Sequence, residues 1–283
     1  MKYVLSLSCP DRPGIVHAIS GFLLNEHANI VEAAQFNDPD TGLFFSRVKF
    51  ELLQPLDNDP ARLPQRFEPI AREFAIEAKF APADVRMPTV IMVSQFGHCL
   101  NDLLFRYRSG LLPIDIRAIV SNHRTFYQLA ASYEIPFHHI VVKPETKPSA
   151  EAKLMEIFDN EGAQLLVLAR YMQVLSDDLC KRLAGRAINI HHSFLPSFKG
   201  ARPYQQAHDR GVKLIGATAH YVTSNLDEGP IIEQDVERAD HSASADELTA
   251  VGRDVESVVL ARAVKWHAEH RILLNGHKTV VFR

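Results

Sequence analysis

Apolar residues near the start of the chain follow two different periods, and the order of these periods predicts a small α/β domain. Runs rich in β-branched and aromatic residues predict strands at residues 3–9, 29–36, 43–52 and 76–80. Two stretches instead have apolar residues at helical spacing: Ile15, Val16, Ile19, Phe22 and Leu23, and then Leu63, Phe67, Ile70, Ala71 and Phe74. The resulting βαββαβ order predicts an antiparallel sheet with both helices on one face.

The pattern changes after residue 88, where short apolar runs alternate with longer helical stretches. The runs TVIMVS, IDIRAIVSN, FHHIVV, QLLVLA and RAINI predict buried strands. Helical patterns such as residues 99–110 and 149–162 separate them. This alternation predicts a mostly parallel sheet with helices on both faces, followed by a C-terminal helix near residues 246–272.

Prolines and charged residues interrupt both patterns at residues 81–88, which we interpret as a linker. We therefore predict an α/β protein of two domains, residues 1–84 and residues 85–283. A chain of 283 residues is long enough for two such domains.

Polar residues follow the predicted strand RAINI and are candidates for chemistry. If the strand continues, its period of two places Asn189 and His191 on the same face, whereas His192 points away. The carboxyl ends of parallel strands open onto the crevice where ligands bind. An amide N–H and an imidazolium N–H aimed at one point would form an oxyanion clamp for a polarised carbonyl. These residues by themselves fit a strand-end cap and a satisfied polar histidine equally well.

A predicted hairpin at residues 216–232 carries a further candidate, Asp227, in its loop. A carboxylate near an imidazole raises the pKa of the imidazole and can orient a water molecule or accept its proton. His220 lies on the preceding strand and is expected to face the same crevice. Asp227 alone is also an ordinary turn residue, and His220 an ordinary core or surface histidine.

Composition restricts the classes of partner. The chain has 31 basic and 34 acidic side chains and a formal net charge of −3, with no basic cluster, so neither nucleic acid nor a membrane is the expected partner. Three widely spaced cysteines and an N-terminus without a signal-type apolar segment favour the cytoplasm. His191, His192, His220 and His241 raise the alternative of a metal site, but their spacing matches no metal motif, and we expect no metal.

Residues 188–234, from INIHH to IIEQ, resemble the folate-dependent formyltransferase and hydrolase superfamily. The superfamily motif is an Asn, a His two residues later, a mobile LP…G loop and an Asp just before a Gly-Pro pair. The resemblance extends from Met87 to the C-terminus and implies a Rossmann-like domain. It implies catalytic roles for Asn189, His191 and Asp227 and a loop at residues 194–203 that could close as a lid. From its strand position we place His220 among the substrate-binding residues, in support of the catalytic groups. The resemblance also implies a folate pocket formed by Met172, Gln173, Val174 and Leu175.

The N-terminal segment, LSCPDRPGIVHAISGFLLNEHANIVEAAQ, resembles the ACT domain, a ferredoxin-like fold that often binds an amino acid at a dimer interface. The resemblance implies that Asp11 and Gly14 lie beside such an effector, or that the domain only mediates oligomerisation. A homo-oligomer is the expected assembly in either case.

The two resemblances together imply hydrolysis of 10-formyltetrahydrofolate to formate and tetrahydrofolate, within one-carbon metabolism and the formate supply for purine biosynthesis. No cofactor beyond the folate substrate is implied. Two alternatives remain open: a transferase of the glycinamide ribonucleotide type, and a regulator that binds folate and amino acids without turnover. The stretch Ser94 to His98 lacks the Gly/Ser-rich phosphate loop of such transferases, which favours water as the acceptor.

Overall fold

The computed structural model describes residues 1–53, 62–195 and 203–283, and these fall into two compact units. Unit 1 comprises residues 1–85, 269–275 and 279–283, and unit 2 comprises residues 86–268 and 276–278. The elements of the N-terminal part of unit 1 are β1 (Lys2–Pro10), α1 (Ile15–Asn25), β2 (Ala28–Asp38), β3 (Leu43–Leu52), α2 (Leu63–Phe74) and β4 (Glu77–Pro82).

The sheet of unit 1 has the strand order β2-β3-β1-β4, and each neighbouring pair is antiparallel. One core joins the two helices to this sheet: it includes Leu5 and Phe50 from the strands, Ile19 from α1 and Phe67 from α2. Side chains of alternate strand positions and of one stripe of each helix are buried together, which is the reason for the two periods in the sequence. The predicted βαββαβ architecture is confirmed.

The C-terminal end of the chain differs from the sequence-based expectation. Helix α8 (Ala245–Ala268) ends four residues before the predicted limit at residue 272, and a hairpin of β12 (Ile272–Asn275) and β13 (Lys278–Val281) follows. The turn contains the dipeptide Asn-Gly, in which Gly276 has a φ of 59°. Asn-Gly is the strongest short hairpin signal in a sequence, and it was the indication that the helical pattern had ended. The strands of this hairpin group with unit 1.

The stretch predicted as a linker is shorter in the structure. Strand β4 extends to Pro82 and the first strand of unit 2 begins at Met87, so only residues 83–86 connect them. Proline at the end of a strand costs no ladder hydrogen bond, which is why Pro82 and Pro88 did not interrupt the strands as expected.

Unit 2 is built around a sheet that has seven strands in the described residues, in the order β11-β10-β9-β8-β5-β6-β7. Its elements before α8 are β5 (Met87–Val93), α3 (His98–Arg108), β6 (Ile114–Ser121), α4 (Tyr127–Ser132), β7 (Phe137–His139), α5 (Lys147–Asn160), β8 (Leu165–Leu168), α6 (Asp177–Arg182), β9 (Ala187–His191), α7 (Pro203–Asp209), β10 (Leu214–Tyr221) and β11 (Ile231–Arg238).

The central strands of this sheet are parallel, and β10 is antiparallel to both of its neighbours. Strand β8 is LLVL and fully buried, as expected for a parallel strand covered on both faces. The carboxyl ends of β5, β8 and β9 therefore lie along one edge of the sheet, where ligands bind in open α/β folds. The predicted mostly parallel sheet is confirmed. None of the helices in the described ranges is long and apolar enough to cross a membrane.

Candidate active site

The carboxyl ends of β8 and β9 open into a cavity of about 260 Å³, which we call the β8–β9 cavity. Asn189 and His191 both line it, because β9 continues to His191 and its period of two places the two side chains on one face. His191 is buried and Asn189 is partly buried. The cavity thus has an amide and an imidazole at its inner end, as the sequence predicted.

Asp227 reaches the same cavity from the loop between β10 and β11. It has a φ of 57°, in the left-handed region that non-glycine residues seldom adopt. Two residues later the chain passes close to the end of β10: a Cβ on Gly229 would lie 1.7 Å from the carbonyl oxygen of Tyr221. This close approach returns the loop onto the strand and positions the carboxylate over His191 and His220.

The four polar side chains form one network. His191 Nδ1 lies 3.2 Å from Asp227 Oδ2, and His220 Nε2 lies 3.7 Å from Asp227 Oδ1. His220 Nδ1 is 2.9 Å from the carbonyl oxygen of Tyr221 and donates to it, so in the neutral ring Nε2 is an acceptor. The amide Nδ2 of Asn189, 3.3 Å away, donates to that Nε2. At 3.7 Å the contact between His220 and Asp227 is too long for a hydrogen bond, so the contact with Asn189 sets the orientation of this amide.

The electrostatics of the network keep Asp227 ionised. The hydrogen bond from His191, followed by the nearby ring of His220, holds the pKa of its carboxyl well below the usual range, although partial burial opposes both. His191 is therefore paired through Nδ1, and its Nε2 is buried without a hydrogen-bond partner among the described residues. This ring nitrogen and the second N–H of Asn189 are the groups that the network leaves for a ligand.

The expectation that His192 points away from the site is wrong. Strand β9 ends at His191, so the strand period no longer applies to the next residue, and His192 also lines the β8–β9 cavity. Its ring centroid is 4.9 Å from that of His191. Burial, followed by the positive charges of Arg170 and His191, lowers the pKa of His192 to about 4. The ring is therefore neutral at physiological pH.

The four residues that the resemblance assigns to a folate pocket all line the same cavity: Met172, Gln173, Val174 and Leu175. Met172 and Val174 are 51% and 57% exposed, which is unusual for apolar side chains that would otherwise be expected in the core. Residues 222–226 also line the cavity, although they were not among the site residues expected from the sequence. They directly precede Asp227 in the same loop, so their place in the motif was the available signal.

A second group of buried polar residues, the Glu256 cluster, was also missed. It consists of Glu256, His98, Tyr204 and Arg170. Glu256 is fully buried on α8 and accepts hydrogen bonds from the Tyr204 hydroxyl at 2.6 Å and from His98 Nε2 at 2.7 Å. Although burial alone would raise the pKa of Glu256, these donors and Arg170 lower it. A Glu inside an otherwise apolar helical face was the available signal.

The described residues include one group that has the composition of a metal site: His98, Cys99 and Glu256 present ligand atoms within 4.8 Å of one another. Glu256 already accepts hydrogen bonds from two side chains, and Arg170 Nε lies 3.3 Å from its Oε2. Burial raises the pKa of the Cys99 thiol far above its usual range, so the thiolate that a metal requires is disfavoured. The group therefore does not suit a cation. Of the four histidines weighed as ligands from the sequence, His241 is exposed and forms its ion pair with Asp240.

The residues that the resemblance assigns to an effector lie at the start of α1 in unit 1. Gly14 precedes the helix with a φ of 99°, a conformation that favours glycine. Asp11 is exposed, and its Oδ2 accepts a hydrogen bond of 2.6 Å from the side-chain amide of Asn37. The turn PDRPG is thus braced against the end of β2.

Most of the predicted lid, residues 194–203, lies outside the described residues, which stop at Leu195 and resume at Pro203. The start of this segment is held by β10 and β11. Thr218 donates to the carbonyl oxygen of Ser193 and accepts from the amide of Leu195, while Gln234 donates to the Leu195 carbonyl oxygen. These bonds fix the backbone just after His191.

Comparisons with known proteins agree with this architecture. The sequence profile of the formyl transferase family matches residues 87–264, and that of the ACT domain matches residues 3–55. A formyltetrahydrofolate deformylase of Corynebacterium sp. (strain P-1) is 50% identical over 289 residues, which span 100% of this chain and 99% of that protein.

Solved structures show the same relationship. The crystal structure of a formyltetrahydrofolate deformylase from Burkholderia mallei ATCC 23344 has a TM-score of 0.94 at 52% identity and covers 100% of this chain and 99% of that chain. Glycinamide ribonucleotide transformylase 1 from Symbiobacterium toebii has a TM-score of 0.65 at 27% identity and covers 70% of this chain and 95% of that chain.

The fold and the site thus define a formyl transferase-type domain joined to an ACT domain. With relatives of this identity over nearly their full length, the chain belongs to the formyltetrahydrofolate deformylase family. The resemblances found in the sequence are confirmed.

The close approach at Gly229 leads to a testable prediction. Gly229→Ala is expected to destabilise the fold by about 3 kcal/mol and to lower activity, because the added methyl group collides with the backbone of Tyr221 and displaces Asp227. Urea unfolding and turnover measure the two effects. Gly21→Ala is the matched control, since nothing lies within 4 Å of its added methyl group. Equal stability of the two variants would contradict this account of the loop.

The pKa of His192 gives a second prediction. Because the folded pKa of about 4 lies below the unfolded value of about 6.5, the unfolded chain binds the proton more readily between these pH values. The free energy of unfolding therefore falls as the pH drops from 6.5 to 4, by up to about 3 kcal/mol from this residue. In His192→Asn this part of the loss should disappear, whereas in the exposed His241→Asn it should remain. Urea unfolding across this pH range is the measurement, and an unchanged pH slope in His192→Asn contradicts it.

Proposed function

We propose that this protein hydrolyses 10-formyltetrahydrofolate to formate and tetrahydrofolate. The observation that carries the proposal is the convergence of Asn189, His191, His220 and Asp227 in one cavity. The support from the comparisons is that relatives matched over nearly their whole length are formyltetrahydrofolate deformylases. The reaction places the chain in one-carbon metabolism, with formate as the product available for purine biosynthesis.

Asp227 and His191 act together on the attacking water. The carboxylate is ionised and holds Nδ1 of His191, so it fixes the orientation of this ring and directs Nε2 to the other side. Asp227 orients the water and takes up its proton, directly or through His191. A water molecule held in attack geometry needs no metal for this step.

Asn189 and the protonated His191 then stabilise the oxyanion of the tetrahedral intermediate. His191 Nε2 and the free N–H of Asn189 both lie in the β8–β9 cavity, and preorganised donors of this kind contribute several kcal/mol. His220 acts as a positioning residue, because its contact with Asn189 fixes which end of the amide faces the cavity. His191, or a water it holds, then donates the proton that the departing folate nitrogen requires.

The folate binds along the segment from Met172 to Leu175. Its exposed apolar side chains offer contact area for the pteridine ring, and backbone groups of the same segment pair with the polar edge of the ring. Val222 to Leu226 also line this pocket.

Transfer of the formyl group to an amine is the second candidate function, favoured by the likeness to the Symbiobacterium toebii transformylase. The packing of the loop between β5 and α3 disfavours an acceptor that carries a phosphate. A Cβ on Gly97 would lie 2.4 Å from the ring of Phe126, so an aromatic side chain packs directly against the one glycine of this loop. A phosphate bound by the loop amides would need open space beside them. The alternative of a regulator without turnover does not require the network of Asn189, His191 and Asp227.

The ACT domain is proposed to bind an amino acid at the turn containing Asp11 and Gly14, and the chain to assemble as a homo-oligomer in the cytoplasm. The braced turn and the exposed carboxylate of Asp11 support the effector site. The three cysteines, all buried and free, suit a reducing compartment.

The hydrolysis proposal predicts that Asn189→Ala, His191→Ala and Asp227→Asn each lower formate release by roughly two to four orders of magnitude. Their effects should be less than additive in double variants, since the three groups act as one unit. Asp240→Asn is the matched control, because Asp240 forms a similar ion pair of 3.3 Å with His241 but is exposed. Formate is assayed with 10-formyltetrahydrofolate alone and then with glycinamide ribonucleotide added. Formate formation only in the presence of the amine acceptor would establish a transferase instead.

The effector proposal predicts that at least one standard amino acid binds the full-length protein in calorimetry and changes its rate of formate release. Asp11→Ala should weaken this binding by roughly tenfold, the scale of one lost hydrogen bond to a charged group. Ser20→Ala, an exposed change on α1, should leave it intact. Absence of binding by every amino acid would reduce the role of the domain to oligomerisation, which sizing experiments test independently.

A further inference from the structure

Arg170 lies in the β8–β9 cavity but has no role in the mechanism above. It follows β8 by two residues and lines the cavity together with His191 and His192. Only 9% of the residue is exposed, so its charge is largely removed from solvent. The positive charge of Arg170 contributes to the lowered pKa of His192, in agreement with its place beside the catalytic histidines.

The backbone holds Arg170 in this position. It has a φ of 64°, a left-handed conformation that is unfavourable for a residue with a long side chain. Its carbonyl oxygen accepts from the amide of Ser94, and the hydroxyl of Ser94 accepts from the amide of Met172. The amide of Ala169 donates to Met92 on β5. These bonds on both sides of Arg170 maintain a strained conformation, which is common where a side chain has a functional task.

Glu256 balances the charge of Arg170 but accepts no hydrogen bond from its guanidinium. Glu256 Oε2 lies 3.3 Å from Arg170 Nε, but this nitrogen is buried and has no hydrogen bond of acceptable geometry. The carboxylate is already bound by Tyr204 and His98. Among the described residues, the guanidinium of Arg170 donates no hydrogen bond at all. A buried cation with unused donors is costly, and the cost is recovered when an anion binds.

The proposed reaction creates such an anion in this cavity. Water adds its oxygen to the formyl carbon, the bond from that carbon to the folate nitrogen breaks, and the nitrogen takes up a proton. The formyl group enters as part of a neutral amide and leaves as formate, with one proton released at neutral pH. The charge thus appears only after the bond is broken, and the planar guanidinium matches a planar carboxylate with two parallel N–H donors.

We propose that Arg170 is the carboxylate-binding residue of a formate subsite at the end of β8, and that Glu256 keeps the Arg170 side chain in place. This proposal rests on the proposed hydrolysis. The subsite receives the product as it forms and keeps its charge away from Asp227. Arg253 supplies the matched control. Its guanidinium carbon is 5.6 Å from the centre of the Phe96 ring, the same distance as that of Arg170, but Arg253 is exposed and does not line the cavity.

The test is the affinity for formate, measured by titration of ¹³C-formate in NMR and as product inhibition of formate release. Wild-type protein is expected to bind formate in about the millimolar range, the limit for a ligand of three heavy atoms. Arg170→Gln should weaken binding by roughly ten- to a hundredfold, the scale of a lost charged hydrogen-bond pair. Arg170→Lys keeps the charge but not the parallel donors and should fall between the two. Arg253→Gln should bind like wild type.

Three results would overturn the subsite: no saturable formate binding by wild-type protein, an affinity that is unchanged in Arg170→Gln, or an equal loss in Arg253→Gln. If kcat/KM in Arg170→Gln falls by orders of magnitude while formate affinity is unchanged, Arg170 acts on the transition state instead. Should Arg170→Gln fail to fold, Arg170→Lys decides, since wild-type affinity in that variant contradicts paired donors. Formate binding without hydrolysis of 10-formyltetrahydrofolate would refute the proposed function but not the anion site.

Discussion

The antiparallel pairing of β9 with β10 is the constraint on which the site depends. It sets His220 opposite Asn189 and Thr218 opposite His191, so that side chains distant in sequence become cross-strand neighbours. His220 can then orient the amide of Asn189, and Thr218 can hold the backbone that follows His191. A shift of one residue in this register would turn both catalytic candidates to the other face of the sheet. The parallel strands alone would bring Asn189 and His191 to the cavity without these supports.

The cavity lining contains an anion and a cation, each with its own partners. Asp227 is the anion, held ionised by His191 and His220. Arg170 is the cation, adjacent to the buried carboxylate of Glu256. The neutral ring of His192 is also in the cavity lining, and its low pKa follows from burial and from these neighbouring charges. In the proposed scheme the neutral formyl amide meets Asn189, His191 and Asp227, whereas the anionic formate binds to Arg170.

Much of the fold could be predicted because the signals were local. The alternation along β1 and the helical spacing in α1 show which residues of one element are buried. Each pattern can be recognised within about ten consecutive residues. Asn189, His191 and Asp227 were recognisable through a motif that runs from β9 to the loop between β10 and β11. The C-terminal hairpin was missed, although Asn275 and Gly276 are a hairpin signal. The long apolar pattern of α8 suggested that the helix continued.

By itself, then, the sequence determined the two fold classes, the element order of the N-terminal βαββαβ segment and the motif from Asn189 to Asp227. Only the tertiary structure decided that His192 faces the cavity and that residues 222–226 form its wall. It also brought Arg170 Nε to 3.3 Å from Glu256 Oε2, although the two residues are 86 positions apart in the sequence. The physical reason is that strand period and helical spacing describe one element at a time. Buried charge pairs and cavity walls depend on where separate elements end, and this is fixed by packing between them.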